Sequence, residues 1–160
     1  MYRNLRQYID RLEREGELAR VSAPVDPVLE IAEIADRMAK SPGGGKALLF
    51  ENTGTRFPVL VNMFGSQRRM AAALGAENLD DVRGRIAGLF GDALSPKENL
   101  GDKLRMLPLL ADVSRWFPKS SSGRGECQQV VLSGEQARLD RLPILKCWPC
   151  DGGHFVTLPL

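Results

Sequence analysis

The chain has little of the chemistry on which most catalytic and metal sites are built. Its 160 residues contain one histidine and three cysteines, and neither a Gly-x-Ser-x-Gly nor a His-Glu-x-x-His motif occurs. An odd number of cysteines in a chain that opens without an apolar signal segment argues against a disulfide framework. Because the carboxylates are spread along amphipathic segments, the residues alone indicate no acid–base pair.

The sequence also has no long apolar run and no marked excess of one sign of charge. No apolar stretch approaches the length that a membrane-spanning helix needs, and 22 basic residues stand against 20 acidic ones without forming a block. We therefore expect no transmembrane segment, no nucleic-acid partner and a cytoplasmic location. A hydrophobic content of 43% over this length predicts a globular protein of ordinary domain size.

What is present in the first half is an alternation of helices and strands. Three helices are predicted from their capping residues and apolar spacing, and the second should bury Val28 and Ile31. These helices run from Asn4 to Gly16, from Asp26–Pro27 to Ala39, and from Ser66 to Leu74, with further helices over 78–90 and near 99–107. Short apolar runs predict strands at 18–22, 47–50 and 58–64. The fold class predicted is α/β, a small sheet with flanking helices.

Two features of this half resemble anion sites. The stretch SPGGGKALLF (41–50) ends like a Walker A motif, but that motif needs Gly and Ser or Thr where Lys40 and Ala47 stand. We therefore expect a plain loop. Arg68 and Arg69 lie near a helix start, and a solvated helix face is favoured over an anion site.

The composition changes near residue 119, where Pro, Ser and Gly mark a connection. We predict an α/β domain over 1–118, a linker over 119–126, and over 127–160 the first strands of an incomplete β-barrel-like domain. Strands are expected at 127–134 and 154–160. Residues 127–160 are too few to form a hydrophobic core alone. We therefore expect either that the chain breaks off within a β domain or that its last strand pairs with a second copy of the chain.

The cysteines allow three interpretations. The Cys147–Cys150 pair resembles a redox CxxC, but Pro lies inside it and turn residues follow, whereas redox pairs open a helix. Zinc is the sharper alternative, with Cys127, Cys147, Cys150 and His154 as a tetrahedral set. The simplest interpretation has Cys127 and Cys147 buried as small hydrophobes, Cys150 in a turn and His154 opening an edge strand.

Three long segments together resemble a known family. The residues 5–37 (LRQYIDRLEREGELARVSAPVDPVLEIAEIADR), 47–75 and 127–160 (CQQVVLSGEQARLDRLPILKCWPCDGGHFVTLPL) are similar to the amino-terminal part of the UbiD-like decarboxylases. That group includes the 3-octaprenyl-4-hydroxybenzoate carboxy-lyases. The resemblance implies an α/β domain followed by a flavin-binding β domain, in a larger protein that forms homo-oligomers.

The resemblance also implies a chemistry. Complete members decarboxylate aromatic or α,β-unsaturated acids with prenylated FMN, a divalent metal (Mn or Mg) and potassium, and some serve ubiquinone or menaquinone biosynthesis. Only Thr157 and Leu158 match positions that line the cofactor and substrate cavity, and no catalytic residue maps onto this chain. We therefore expect a fragment without turnover or cofactor of its own. The alternative is a non-enzymatic interaction module that pairs through its open C-terminal strand.

Overall fold

The computed structural model describes residues 2–94, 108, 110–111, 113–115, 117–118, 120 and 122–156. It divides into two compact units, one made of Met1–Leu79 and Arg138–Leu160 and the other of Asp80–Ala137. The helices are α1 (Leu5–Arg14), α2 (Glu30–Ala39), α3 (Gln67–Ala73) and α4 (Leu79–Leu94), and the strands are β1 (Leu18–Val21), β2 (Ala47–Phe50) and β3 (Val59–Val61). None of the described helices is long and apolar enough to cross a membrane.

The sheet of the first unit has the strand order β1-β2-β3. β2 is central, parallel to β1 with Leu18 opposite Ala47, and antiparallel to β3 with Leu48 opposite Val61. All four residues of β2 are buried, as expected of a short strand that is covered on both faces. The predicted fold class, a small open sheet with flanking helices, is confirmed for this unit.

The two faces of β2 support two separate cores. Successive side chains of a strand point to opposite faces, so Ala47 and Leu49 lie on one side and Leu48 and Phe50 on the other. The first core is completed by buried residues of α1, β1 and α3, which are Tyr8, Leu12, Leu18 and Ala72. The second is completed by Val25 and Ile31, with Leu145 packed against it.

Two of the predicted helix starts are confirmed by their capping hydrogen bonds. The Asn4 side chain accepts a hydrogen bond from the backbone N–H of Gln7 at 3.0 Å, and the Ser66 hydroxyl accepts one from that of Arg69 at 3.2 Å. Each cap satisfies an N–H group that has no partner inside the helix. The helix predicted over 78–90 corresponds to α4, and that predicted near 99–107 lies outside the described residues.

The predicted start of the second helix is wrong. α2 begins at Glu30, because the preceding residues form a turn in which the Asp26 carboxylate accepts a hydrogen bond from the Val28 N–H at 2.7 Å. Val28 then forms a β-bridge with Lys146 and is 38% exposed, where the sequence predicted a buried helical residue. A long-range backbone contact thus replaces the first helical turn.

Two predicted strands differ from the structure. β3 stops at Val61 because Asn62 has a φ of 55°, outside the extended region. No strand forms at 127–134, where 3-10 turns at Glu126–Gln128 and Gly134–Gln136 flank exposed residues. An apolar run forms a strand only where a neighbouring strand accepts its backbone hydrogen bonds, and no described strand pairs with it.

Tyr8 gives the first core a pH-dependent contribution to stability. It is buried, and its hydroxyl lies 2.9 Å from the carbonyl oxygen of Arg69 and 3.2 Å from that of Met63. Burial raises the pKa of Tyr8 above its ordinary value, with the nearby Tyr2 hydroxyl adding to the effect. The folded chain therefore holds this proton more tightly than the unfolded chain does, and the contribution is lost as the pH rises through the folded pKa.

We predict that Tyr8→Phe lowers the free energy of unfolding by about 1 kcal/mol at pH 7, because the hydroxyl hydrogen bond is lost. The difference between the two proteins should narrow above about pH 10, where the unfolded tyrosine ionises. Urea unfolding of both proteins from pH 7 to 11 measures it. A difference that stays constant over this range would contradict the assignment.

Candidate functional site

The described part of the chain's end, residues 138–156, returns to the first unit, and we name it the C-terminal strap. Its central residue, Lys146, donates its backbone N–H to the Pro27 carbonyl oxygen at 3.2 Å. The Lys146 carbonyl oxygen in turn accepts the Leu29 N–H at 2.9 Å. Leu145 packs against the second core, so the strap is held both by backbone hydrogen bonds and by apolar contact.

We call the backbone hydrogen bonds of Lys146 with Pro27 and Leu29 the strap's anchor. The anchor requires an unusual backbone conformation at Leu29. Leu29 has a φ of 69°, a region that costs a residue with a side chain about 1–3 kcal/mol. The turn before it is held by the Asp26 carboxylate on the Val28 N–H and by the Glu30 carboxylate on the Asp26 N–H, the latter at 2.7 Å. These hydrogen bonds keep the Leu29 N–H directed at the strap.

The cysteine pair lies in a tight turn of the strap. The Trp148 N–H donates to the Asp151 carboxylate at 2.9 Å, and the Asp151 N–H donates to the Trp148 carbonyl oxygen at 3.1 Å. Cys150 lies in this turn, as the sequence predicted, and Cys147 and Cys150 are both free thiols. Cys147 is exposed, so its prediction as a buried hydrophobe is wrong. The pair also lacks the helix N-terminus that a redox CxxC uses.

His154 is held by the strap itself. Its Nδ1 lies 2.6 Å from the Ile144 carbonyl oxygen, which can only accept, so Nδ1 carries the proton and donates. The backbone from His154 to Val156 forms no strand, so the predicted edge strand is wrong over these residues. The Phe155 N–H donates to the Leu145 carbonyl oxygen at 3.3 Å, and none of the described strands pairs with this segment.

The described members of the zinc set that the sequence suggested, Cys147, Cys150 and His154, do not form a metal-binding cluster. Among the side chains that the structure describes, no three of the types His, Cys, Asp and Glu lie close enough to hold a metal ion. The Cys127 side chain, Thr157 and Leu158 lie outside the described residues. The zinc alternative and the cavity-lining role of Thr157 and Leu158 therefore stay predictions.

An apolar groove of about 450 Å³ lies between the strap and α2. Leu29, Ala32 and Ala35 line it from the helix side, and Leu145 and the exposed Trp148 line it from the strap. Glu33 and Asp36 also line it and are paired with Arg37 and Lys40, so the rest of the groove offers mainly apolar contact.

Buried Arg69 is the structural residue that the sequence interpretation missed. It is 1% exposed, and its guanidinium donates to the Glu17 carboxylate at 2.8 Å and to the carbonyl oxygens of Gly45 at 2.6 Å and Gly44 at 3.2 Å. The solvated face predicted for it is therefore wrong. The available signal was helical spacing, because Arg69 shares a face with the apolar Ala72.

The neighbouring Arg68 has the solvated position that the sequence predicted. Its side chain is 63% exposed and lies 3.3 Å from the carboxylates of Glu15 and Glu17. The glycines of the Walker-like loop have a packing role, since a Cβ on Gly44 would lie 1.8 Å from the Gly65 carbonyl oxygen. The loop thus presents its carbonyl oxygens to Arg69, and we find no phosphate cradle in it.

Comparison with known proteins places this α/β unit and its strap in one family. The N-terminal domain model of the 3-octaprenyl-4-hydroxybenzoate carboxy-lyases matches residues 9–89, and the Rift-related domain model of the same enzymes matches residues 119–160. The chain belongs to this UbiD family. The resemblance stated from the sequence is thereby confirmed.

Individual relatives and solved structures match between 59% and 98% of the chain. A protein of Aquifex aeolicus is 47% identical over 157 residues, which cover 98% of this chain and 32% of the relative. The closed form of vanillic acid decarboxylase from Sedimentibacter hydroxybenzoicus matches 96% of this chain and 29% of its own, with 24% identity and a TM-score of 0.66. An evolved dimeric form of the UbiD-class enzyme HmfF from Pelotomaculum thermopropionicum, solved with prFMN, matches 59% of this chain and 21% of its own at 33% identity, with a TM-score of 0.44.

The matches cover only part of each relative. The chain spans about a third of the length of the curated relatives that it matches. The vanillic acid decarboxylase shares the fold of this UbiD-family chain over 96% of it.

The Arg69 contacts predict unequal effects for two adjacent arginines. Arg69→Met should lower the free energy of unfolding by about 2–3 kcal/mol, because it removes the donor of Glu17 Oε2 and of the Gly45 carbonyl oxygen. Arg68→Met should cost less than about 1 kcal/mol, since its ion pairs are exposed. Urea unfolding measures both, and equal losses would contradict the buried network.

The strap predicts a local pattern of hydrogen exchange. The Leu29 and Lys146 amide protons should exchange at least about tenfold more slowly than that of the adjacent Cys147, because only the former two donate backbone hydrogen bonds across the anchor. Amide exchange followed by NMR measures each site. Exchange of the Lys146 amide at the rate of Cys147 would show that the strap is not docked.

Proposed function

We propose that this chain is the amino-terminal portion of a UbiD-family decarboxylase acting on aromatic or α,β-unsaturated acids. The observation that carries the proposal is the match of two successive domains of one carboxy-lyase family, in order, at residues 9–89 and 119–160. The role of the α/β unit in this enzyme is to position the strap, and with it the residues that follow, next to the flavin-binding domain.

Three contacts support this positioning role. The hydrogen bonds of Lys146 with Pro27 and Leu29 and the packing of Leu145 fix the strap eleven residues before Thr157, the first residue that the resemblance assigns to the cavity. A cavity wall must be held to within a fraction of an ångström for a cofactor and a substrate to meet correctly. The half-buried anchor is therefore proposed to contribute orientation.

The cofactor belongs to the complete enzyme in this proposal. HmfF was solved with prFMN, and we propose prenylated FMN with a divalent metal (Mn or Mg) and potassium for the complete relative of this chain. The described residues do not fit these groups, since they hold no cluster of three metal-binding side chains, and no step of the reaction is derived through them. The 160 residues alone are proposed to bind no flavin and to be inactive.

The proposed setting of the complete enzyme is a cytoplasmic homo-oligomer. Within that setting, ubiquinone or menaquinone biosynthesis is the proposed pathway, and 4-hydroxybenzoate-type acids are the first substrates to test. The alternative of an interaction module with an open C-terminal strand gains no support from residues 154–156, which form no strand.

A chimera tests the proposal. Residues 1–160 would replace the matching part of the Aquifex aeolicus relative, with prenylated FMN supplied during expression. We expect the chimera to retain flavin and to release CO2 from at least one acid in a panel of 4-hydroxybenzoate, vanillate and cinnamate. The 160-residue chain alone should show neither flavin absorbance nor CO2 release.

The unmodified Aquifex aeolicus protein is the matched control. If it carries flavin and releases CO2 while a folded chimera does neither, this chain does not act as the amino-terminal portion of such an enzyme. Stable flavin bound to the 160-residue chain alone would contradict the assignment of the cofactor site to the remainder of the protein.

A further inference from the structure

Two grooves of the first unit meet along the strap, and together they form a trough that we call the composite groove. One has a volume of about 440 Å³ and the other about 380 Å³, and both are lined by Thr55 and Asp140. The two grooves are therefore adjacent, with Thr55 and Asp140 between them. They differ in chemistry, since apolar side chains line most of the first, whereas arginines line the second.

The first part of the composite groove is lined by several exposed apolar side chains. Its lining includes Leu139, Leu142 and Val28, which are 69%, 43% and 38% exposed. Pro143 and Ile144 complete this apolar side. Covering these side chains would gain roughly 25 cal/mol for each Å² of apolar surface removed from water, so this part favours an apolar ligand body.

The second part carries positive charge that the protein does not neutralise. Among the described residues neither Arg56 nor Arg141 forms an ion pair, and the Arg56 guanidinium lies 4.8 Å from the Phe57 ring centre. The one carboxylate here, Asp140, is paired with Arg138, whose Nε donates to it at 3.0 Å. Arg141 also interacts electrostatically with Asp140, so the second part has two arginines and a single carboxylate, which Arg138 already pairs.

The first part of the composite groove contains a carboxylate that the second part lacks. Asp26 lines the first part only, and one of its carboxylate oxygens already accepts the Val28 N–H at 2.7 Å. His154 also lines the first part, with Nδ1 engaged by the Ile144 carbonyl oxygen. A ligand with an anionic head would be repelled from Asp26 and attracted to Arg56 and Arg141, so the charges fix its direction.

We propose that the composite groove binds a small amphipathic anion, an alkyl carboxylate or alkyl phosphate. The apolar chain lies against Val28, Leu142 and Ile144, and the anionic head pairs with Arg56 and Arg141. Guanidinium groups suit both head groups, because their paired N–H donors match the oxygens of a carboxylate or a phosphate. The proposal does not depend on the decarboxylase function, since it uses none of the residues assigned to the flavin cavity.

Calorimetric titration of the 160-residue chain with three matched probes tests the proposal. Decanoate and decyl phosphate share an alkyl chain with decanol, which lacks the charge. We expect both anions, or the one whose head group the site prefers, to bind about tenfold more tightly than decanol. Binding by only one of the anions identifies a carboxylate or a phosphate site, and failure of both to bind overturns the proposal.

Variants separate the two parts of the composite groove. The double variant Arg56→Gln/Arg141→Gln should weaken binding of the anions about tenfold and leave decanol unchanged, whereas Leu142→Gln should weaken all three ligands. Arg85→Gln on α4 and Leu74→Gln after α3 are the matched controls, being exposed and outside both grooves. Circular dichroism verifies that each variant is folded.

Three results would overturn the proposal even if the anions bind. Equal affinity for decanol would show a plain apolar face, of the kind that another part of the protein or a second copy covers. An equal loss of anion binding in Arg85→Gln and in the double variant would show general attraction to a cationic surface. An unchanged affinity in the double variant would place the head group elsewhere.

Discussion

The buried guanidinium of Arg69 is the constraint on which the rest of the first unit depends. It belongs to α3, yet it binds Glu17 just before β1 and the carbonyl oxygens of Gly44 and Gly45 just before β2. One side chain therefore fixes the starting points of two parallel strands relative to a helix. Its Nε is buried without a hydrogen-bond partner, a cost that the other contacts must offset. A charge held in this way has few alternative positions, so it favours a single arrangement of the loops.

The placement of the strap follows from that arrangement. Once the ends of β1 and β2 are fixed, alternation along β2 sends Leu48 and Phe50 to the face opposite α1. Ile31 and Leu145 pack on the same face, so the second core exists only when β2 has the correct register. A slip of one residue would exchange the two faces and remove the apolar seat of the strap. The position of the strap thus depends on the register of β2, and the register of β2 depends on the contacts of Arg69.

The sequence predicted the features that depend on local contacts and missed those that depend on long-range contacts. The caps at Asn4 and Ser66 and the strand β2 were predicted because their signals lie within a few residues. The start of α2 was not, because the Val28–Lys146 bridge joins residues that are far apart in sequence. The sequence predicted an exposed Arg69 because a charged side chain is usually solvated, even where its helical spacing matches the apolar face. Its hydrogen-bond acceptors lie in two loops that are distant in sequence, so no local pattern revealed them. Residues 127–134 have a strand-like composition, but no described strand pairs with them.

The same reasoning explains why the candidate site was found only in outline. Family resemblance pointed to Thr157 and Leu158, whereas the structure describes the anchor before them and shows how the α/β unit holds it. That anchor uses backbone groups of Pro27, Leu29 and Lys146, and backbone groups leave no signature in the residue types. A sequence can reveal which side chains could perform chemistry, but a positioning role made of main-chain hydrogen bonds becomes visible only when the distant segments are brought together. The orienting role that we propose for the α/β unit therefore depends on backbone groups, and no residue type in the sequence marks it.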